Sequence, residues 1–159
     1  MLFRSIIFAG RVVEDFKLTT GTFVHVGSLR TDAIAAATPV VHDALVAGQD
    51  REFIGLLCWP NLHACRQLVG NADASYEDVI RHPAVIACLE KGLQAHNAST
   101  TGSSMRIARA MLMVEPPSID GNELTDKGYI NQRAVLTRRA AAVAVLEDDG
   151  SSEPVGCAG

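Results

Sequence analysis

Residues 40–60, VVHDALVAGQDREFIGLLCWP, constrain the fold more than any other stretch of this chain. Two β-prone apolar runs, 40–47 and 53–59, flank Gly48-Gln49-Asp50-Arg51-Glu52, a polar segment whose Gly and Asp suit a tight reversal. An antiparallel hairpin is predicted. The neighbouring segments carry helix signals. Asn61 after Pro60 opens a short helix to Val69, which stops at Gly70-Asn71. Residues 75–81 read as helical with an SxxD cap, and Pro83 starts a further helix to Asn97 that turns Val85, Ile86, Leu89 and Leu93 inward.

Before the hairpin, residues 3–8 and 22–26 read as extended, and Ser28 is expected to cap a helix whose apolar stripe is Leu29, Ala33, Ile34 and Ala37, with Pro39 ending it. After it, residues 105–114 read as a strand, 118–129 as a loop dense in Gly, Asp and Lys, and 131–146 as one helix with Leu136, Ala140 and Val143 on a single face. Residues 147–159, rich in acids and poor in large apolar groups, are expected to be a disordered acidic tail. With 159 residues, 48% of them hydrophobic, the chain suffices for one core, so residues 1–146 are expected to form one domain. Hairpins mixed with helices, without strict βα alternation, predict the α+β class: a small antiparallel sheet flanked by helices rather than a doubly wound parallel sheet.

A formal net charge of -4 offers no positive field for nucleic acid or an anionic membrane surface. No window approaches the roughly 20 apolar residues of a membrane span, and the first residues lack the pattern of a secretory leader. Cys58, Cys65, Cys88 and Cys157 form no CxxC pair and have no histidine at zinc spacing, so free thiols, no metal site and a reducing, cytoplasmic location are expected. Neither GxGxxG nor GxxxxGK[ST] occurs, which leaves no common phosphate-cradling loop.

Three stretches carry a resemblance. Residues 9–30, AGRVVEDFKLTTGTFVHVGSLR, combine a Gly-Arg dipeptide, an acidic pair and a Gly loop leading into a helix. Residues 115–141, EPPSIDGNELTDKGYINQRAVLTRRAA, hold an ELTDKG…NQR motif. With the Gly-x-Asp hairpin between them, in this order, they resemble the C-terminal domain of the adenylate-forming (acyl-CoA synthetase, AMP-binding) superfamily, and the terminal motif looks like that of feruloyl-CoA synthases. The resemblance covers residues 6–146. It implies the small lid domain of an ATP-dependent acid–CoA ligase, rotating about a hinge near residues 9–18 and lacking the large domain that binds ATP and acid. ATP and CoA are then substrates of the complete enzyme, magnesium is implied by the family, and the partner is the N-terminal AMP-binding domain of the same ligase. Alone, the chain is expected to be inactive, and the face that would close on its partner makes self-association, a homo-oligomer, an expectation.

Several residues acquire roles through this resemblance. Thr19, Thr20, Gly21 and Thr22 correspond to the loop that admits the CoA arm, where a missing Cβ lets backbone lie against pantetheine; Gly21 is equally a turn glycine between strands. Glu14 and Asp15 are the hinge candidates, with Val13 also open because the segment is one residue longer than in acetyl-CoA synthetase-like members, and the pair reads equally as a solvated acidic couple. Most of the superfamily places its adenylation lysine directly after the motif glycine, but here Gly128 precedes Tyr129, so the charge passes to Lys127 before it. Lys127 is one of three lysines, with Lys17 and Lys91, and is otherwise an exposed loop residue. Arg133, Arg138 and Arg139 read as a solvated basic face or as contacts to CoA phosphates. The alternative to a ligase domain is a stand-alone binding or interaction module, or the remnant of a disrupted ligase gene, without chemistry of its own.

Overall fold

A computed structural model describes residues 15–100, 102, 104–113 and 115–147, and the backbone of 155–157. Two short strands, β1 (Phe16–Lys17) and β2 (Phe23–Val24), pair antiparallel. They lead into α1 (Val26–Ala36). The expected hairpin follows as β3 (Val41–Ala47) and β4 (Ile54–Pro60), antiparallel, with Asp43 opposite Trp59 and Ala47 opposite Gly55.

Three helices come next: α2 (Leu62–Val69), α3 (Tyr76–Arg81) and α4 (Pro83–Ser99). Their caps are those the sequence announces. Asn61 accepts from the Ala64 N–H, Ser75 from the Asp78 N–H, and Gly70 ends α2 in the left-handed region. This helical crossover returns the chain to β5 (Ile107–Leu112), which runs parallel to β4. A long loop, α5 (Gln132–Arg138) and α6 (Ala140–Glu147) precede β6 (Val155–Cys157), again parallel to its neighbour β5.

The α+β class stands, with the small antiparallel pair β1–β2, but the larger sheet, in the order β3-β4-β5-β6, is mixed. It has two covered faces. Ala44, Val46, Ile54, Leu56, Cys58, Ile107, Ala110 and Leu112 point into a cluster with α1–α4, while Leu45, Ala47, Leu57, Trp59 and Met113 point into a second with Ile130, Val135, Val143 and Leu146. Strands covered on both sides need no polar alternation, which is why β4 is apolar throughout.

Two expectations change. Ser28 does not start α1; the helix begins at Val26, with His25 in the capping position but making no side-chain cap. Asp15 supplies the missing acceptor from eleven residues upstream, its Oδ1 taking the Val26 N–H at 2.9 Å. The single helix expected over 131–146 is two helices, broken at Arg139 (φ -109°, ψ 32°), whose guanidinium bonds Glu123. Within the span expected to be disordered, Glu147 ends α6 and Val155–Cys157 form β6; the rest, like the strand expected over residues 3–8, lies outside the described residues. Among the described residues no helix is long and apolar enough to cross a membrane.

Candidate functional site

The β1–β2 turn holds Thr19, Thr20, Gly21 and Thr22. Leu18 N–H donates to the Thr22 carbonyl and Gly21 N–H to the Leu18 carbonyl, each at 2.9 Å. The Thr20 and Thr22 hydroxyls lie 3.0 Å apart. Gly21 has φ +85°, and a Cβ built on it meets nothing within 4 Å. The backbone torsion alone therefore calls for glycine, and the surface above it is open. Thr19 N–H donates to the Arg51 carbonyl, which joins this turn to the β3–β4 reversal. A groove of about 410 Å³ opens beside that reversal, between Phe16, Gly48 and the Arg133, Leu136 and Thr137 side of α5.

Lys127 sits elsewhere. Leu124 and Ile130 form an isolated antiparallel bridge, and Thr125 N–H donates to the Tyr129 carbonyl at 2.7 Å, closing a small hairpin. Gly128, at φ +82°, donates to the Thr125 carbonyl and turns its tip. Lys127 is exposed at that tip, and Tyr129 beside it is 59% exposed. Both arms of the hairpin end in buried carboxylates. Glu123, at the foot of one arm, is 1% exposed and accepts Arg139 Nε at 2.7 Å and Arg139 Nη2 at 3.0 Å, with the Ser118 N–H at 2.9 Å. The Arg139 hydrogen bonds hold its carboxyl below the usual carboxylate range against the opposing push of burial, helped by the Ser118 N–H and the Arg138 charge. Asp43, on β3, accepts the Ile130 N–H of the other arm at 2.8 Å, and Arg30 of α1 stands 3.9 Å from it. Next along, Asn131 caps α5 and Gln132 pairs its amide with both the N–H and the carbonyl of Val46, satisfying the free edge of β3.

The Lys127 hairpin is thus anchored at Asp43 within β3 and the glycine turn at Arg51 beyond its end, with the stretch of strand from Asp43 to Ala47 between them, roughly 13 Å at ~3.3 Å per residue. Of the hinge candidates, Asp15 caps α1 and lies 3.3 Å from His25 Nδ1. Val13 and Glu14, like Arg11, lie outside the described residues. Two of the thiols are poor nucleophiles: burial, with a smaller push from Asp43, raises Cys58 to about 12, and burial, with a smaller push from Cys88, raises Cys65 to about 11.

Sequence reasoning overlooked Glu123, Asp43 and Gln132 and read Arg139 as solvated, whereas its side chain is 12% exposed. Asp43 had left a signal, a charge inside an apolar strand that must find partners once buried. Glu123 had left none, since its partner lies 16 residues on and on no common helical face.

Fold and site define a small helix-flanked mixed-sheet domain that presents two separate loops, one with a lone lysine and one with an open glycine. The chain belongs to the AMP-binding enzyme C-terminal domain family, whose model matches residues 25–148. Among solved structures, the A domain of a carboxylic acid reductase from Segniliparus rugosus, in complex with AMP and a co-purified carboxylic acid, superposes with TM-score 0.63 at 21% identity over 86% of this chain. The A-PCP didomain of carboxylic acid reductase from the same organism gives 0.61 at 21% over 83%, and the adenylation domain of the Mycobacterium chelonae carboxylate reductase 0.61 at 18% over 86%. This chain spans 20%, 17% and 20% of those chains respectively. No curated protein matches it. Among the described residues no group of three or more His, Cys, Asp or Glu side chains could hold a metal ion.

Proposed function

We propose that this domain is the mobile lid of an ATP-dependent acid–CoA ligase of the feruloyl-CoA synthase type, working on an N-terminal AMP-binding domain. In the first half-reaction a carboxylate oxygen attacks the α-phosphorus of ATP and pyrophosphate leaves. Lys127 brings its ammonium to the charge developing on the carboxylate and phosphate oxygens. In the second, the CoA sulfur attacks the acyl carbon and AMP departs, with Thr19, Thr20, Gly21 and Thr22 lining the passage of the thiol arm. Glu14 or Asp15 is the pivot between the two poses.

The observation that carries this reading is the separation of the two loops along β3. A domain with its cation on one loop and its open glycine on the other offers them to one active site in succession, not together. Arg133, in the groove beside the β3–β4 reversal, stands at the glycine-loop end, where an anionic thiol carrier would pass.

Half-reaction kinetics of the complete enzyme test the assignment. Lys127→Ala should slow ATP–pyrophosphate exchange about a hundredfold or more. Gly21→Leu should slow thioester formation about tenfold or more while changing exchange by less than about twofold. Equal loss of both steps in Gly21→Leu, or an unchanged exchange rate in Lys127→Ala, would overturn it. A chain that supports neither step with any AMP-binding domain is a binding module.

The carboxylic acid reductase matches favour a second reading, in which the thiol belongs to a carrier domain, as the A-PCP didomain arrangement suggests. Thioester formation on a carrier domain but not on free CoA would select it.

A further inference from the structure

Among the described residues the hydrogen bonds that shape the Lys127 tip are those of its own hairpin, so its position is set at the hairpin's base. Five hydrogen bonds meet there on Glu123 alone. Its N–H donates to the Ser118 carbonyl, its carbonyl accepts the Asn131 N–H, and its carboxylate accepts Ser118 N–H and both prongs of Arg139. Arg139 also donates to the Pro116 carbonyl at 3.0 Å and stands 5.7 Å over the ring of Trp59, whose own Nε1 donates to the Glu115 carbonyl. One guanidinium thereby ties the loop's entry, its middle and the sheet. A pair this buried gains little over apolar packing, because desolvating both charges offsets their attraction. What it supplies is direction: the planar fork accepts one orientation of the carboxylate, as leucine or methionine packing would not.

We infer that Glu123 and Arg139 are positioning residues for adenylation, a buried fork that fixes the base of the 124–130 hairpin so that Lys127 is held where the acid and nucleotide meet. The inference rests on the role proposed for Lys127, and Asp43 holds the second arm in the same sense through Ile130.

The test separates the two. In the full chain alone, Glu123→Gln should raise the rate of tryptic cleavage at the Lys127–Gly128 bond about tenfold or more relative to cleavage after Lys17 and Lys91, since a protease must pull the turn open to reach it. In the complete enzyme, Glu123→Gln should lower kcat for adenylation about ten- to a hundredfold with KM for ATP changed less than about twofold. The double variant Lys127→Ala/Glu123→Gln should then be no slower than Lys127→Ala, because the second change acts only through the first. Multiplying losses, or unchanged cleavage at Lys127, overturn the positioning role. Arg139→Lys, which keeps the charge and loses the fork, must show the same pattern and replaces Glu123→Gln should that variant fail to fold. If Lys127→Ala leaves adenylation unchanged, the functional reading falls, and the cleavage ratio still decides whether Glu123 holds the loop.

Discussion

The two faces of the main sheet are built by different means. Beneath α1–α4 the contacts are mainly apolar: Leu29, Leu56, Ile80 and Leu89 are fully buried, the flanking helices carry local caps, and the polar exceptions are at the end of α4, where His96 meets the Met105 carbonyl and Asn97 bonds the backbone of Ile107. The opposite face has a smaller apolar cluster and three buried polar groups, Asp43, Glu123 and Gln132, with the half-buried Arg139 beside them, each tied to backbone or to one another. Apolar burial has no direction, so the first face supplies stability. Hydrogen-bonded polar groups have direction, so the second fixes where a loop points. The Lys127 hairpin emerges at the polar face, whereas the Gly21 turn is flanked by Phe16, Leu18 and Val24 of the apolar cluster and is joined to the β3–β4 reversal through Thr19.

Substitutions on the two faces should therefore fail differently. The largest loss is expected from Leu56→Ala, about 2–5 kcal/mol, because a buried side chain is replaced by a cavity between sheet and helices. Urea unfolding followed by far-ultraviolet circular dichroism and by Trp59 emission should shift together, since the whole domain loses its support; separate midpoints would mean the faces melt independently.

Glu123→Gln should cost less, about 1.5–3 kcal/mol, the worth of hydrogen bonds to a charged group. Its signature is local. Trp59, the single tryptophan, should change its emission in the native baseline before any loss of helix. An identical native spectrum would break the distinction between the faces.

The same residue gives a pH dependence. Glu123 has a folded-state pKa below its ordinary 4.5, so its contribution is fully present above 4.5 and is lost as the pH falls from there through the folded value. Acid titration of the unfolding free energy should show a larger drop below pH 4.5 in the wild type than in Glu123→Gln. Parallel curves would show that the carboxylate is not what the pair depends on.

How far the sequence foretold this division follows from the range of the forces involved. Caps at Asn61 and Ser75, the Gly70 stop, the Pro83 start and the β3–β4 hairpin are local signals, and the structure keeps each of them. The direction of β5 was not local. A β-prone run reads the same parallel or antiparallel, and only the three-helix crossover decides it. Arg139 illustrates the converse: the apolar spacing of residues 131–146 suits one continuous helix, but the helix breaks at the residue whose guanidinium holds a buried carboxylate 16 residues upstream. Lys127 and Gly21 stood out through motif resemblance, whereas Glu123 and Arg139, which tie the base of the Lys127 hairpin, did not, because pairing across a fold leaves no periodic trace.

The smallest effect expected is at Tyr76, which joins the two faces. Its ring packs against the apolar cluster from α3, and its hydroxyl donates to the Met113 carbonyl at 2.8 Å at the end of β5, beside the polar face. Burial pushes the phenol up to about 12 against the lowering pull of Arg139, with a lesser push from Cys65. Tyr76→Phe keeps the packing and removes one hydrogen bond, so it should cost about 0.5–1.5 kcal/mol at neutral pH. A folded-state value above the ordinary 10 means that the hydroxyl's contribution is present below pH 10 and is lost as the pH rises through the folded value. The gap between wild type and Tyr76→Phe should accordingly close between pH 10 and 12 in guanidinium or urea titrations. A constant gap across that range would show that the hydroxyl is not the link, and that the two faces are coupled through the shared strands alone.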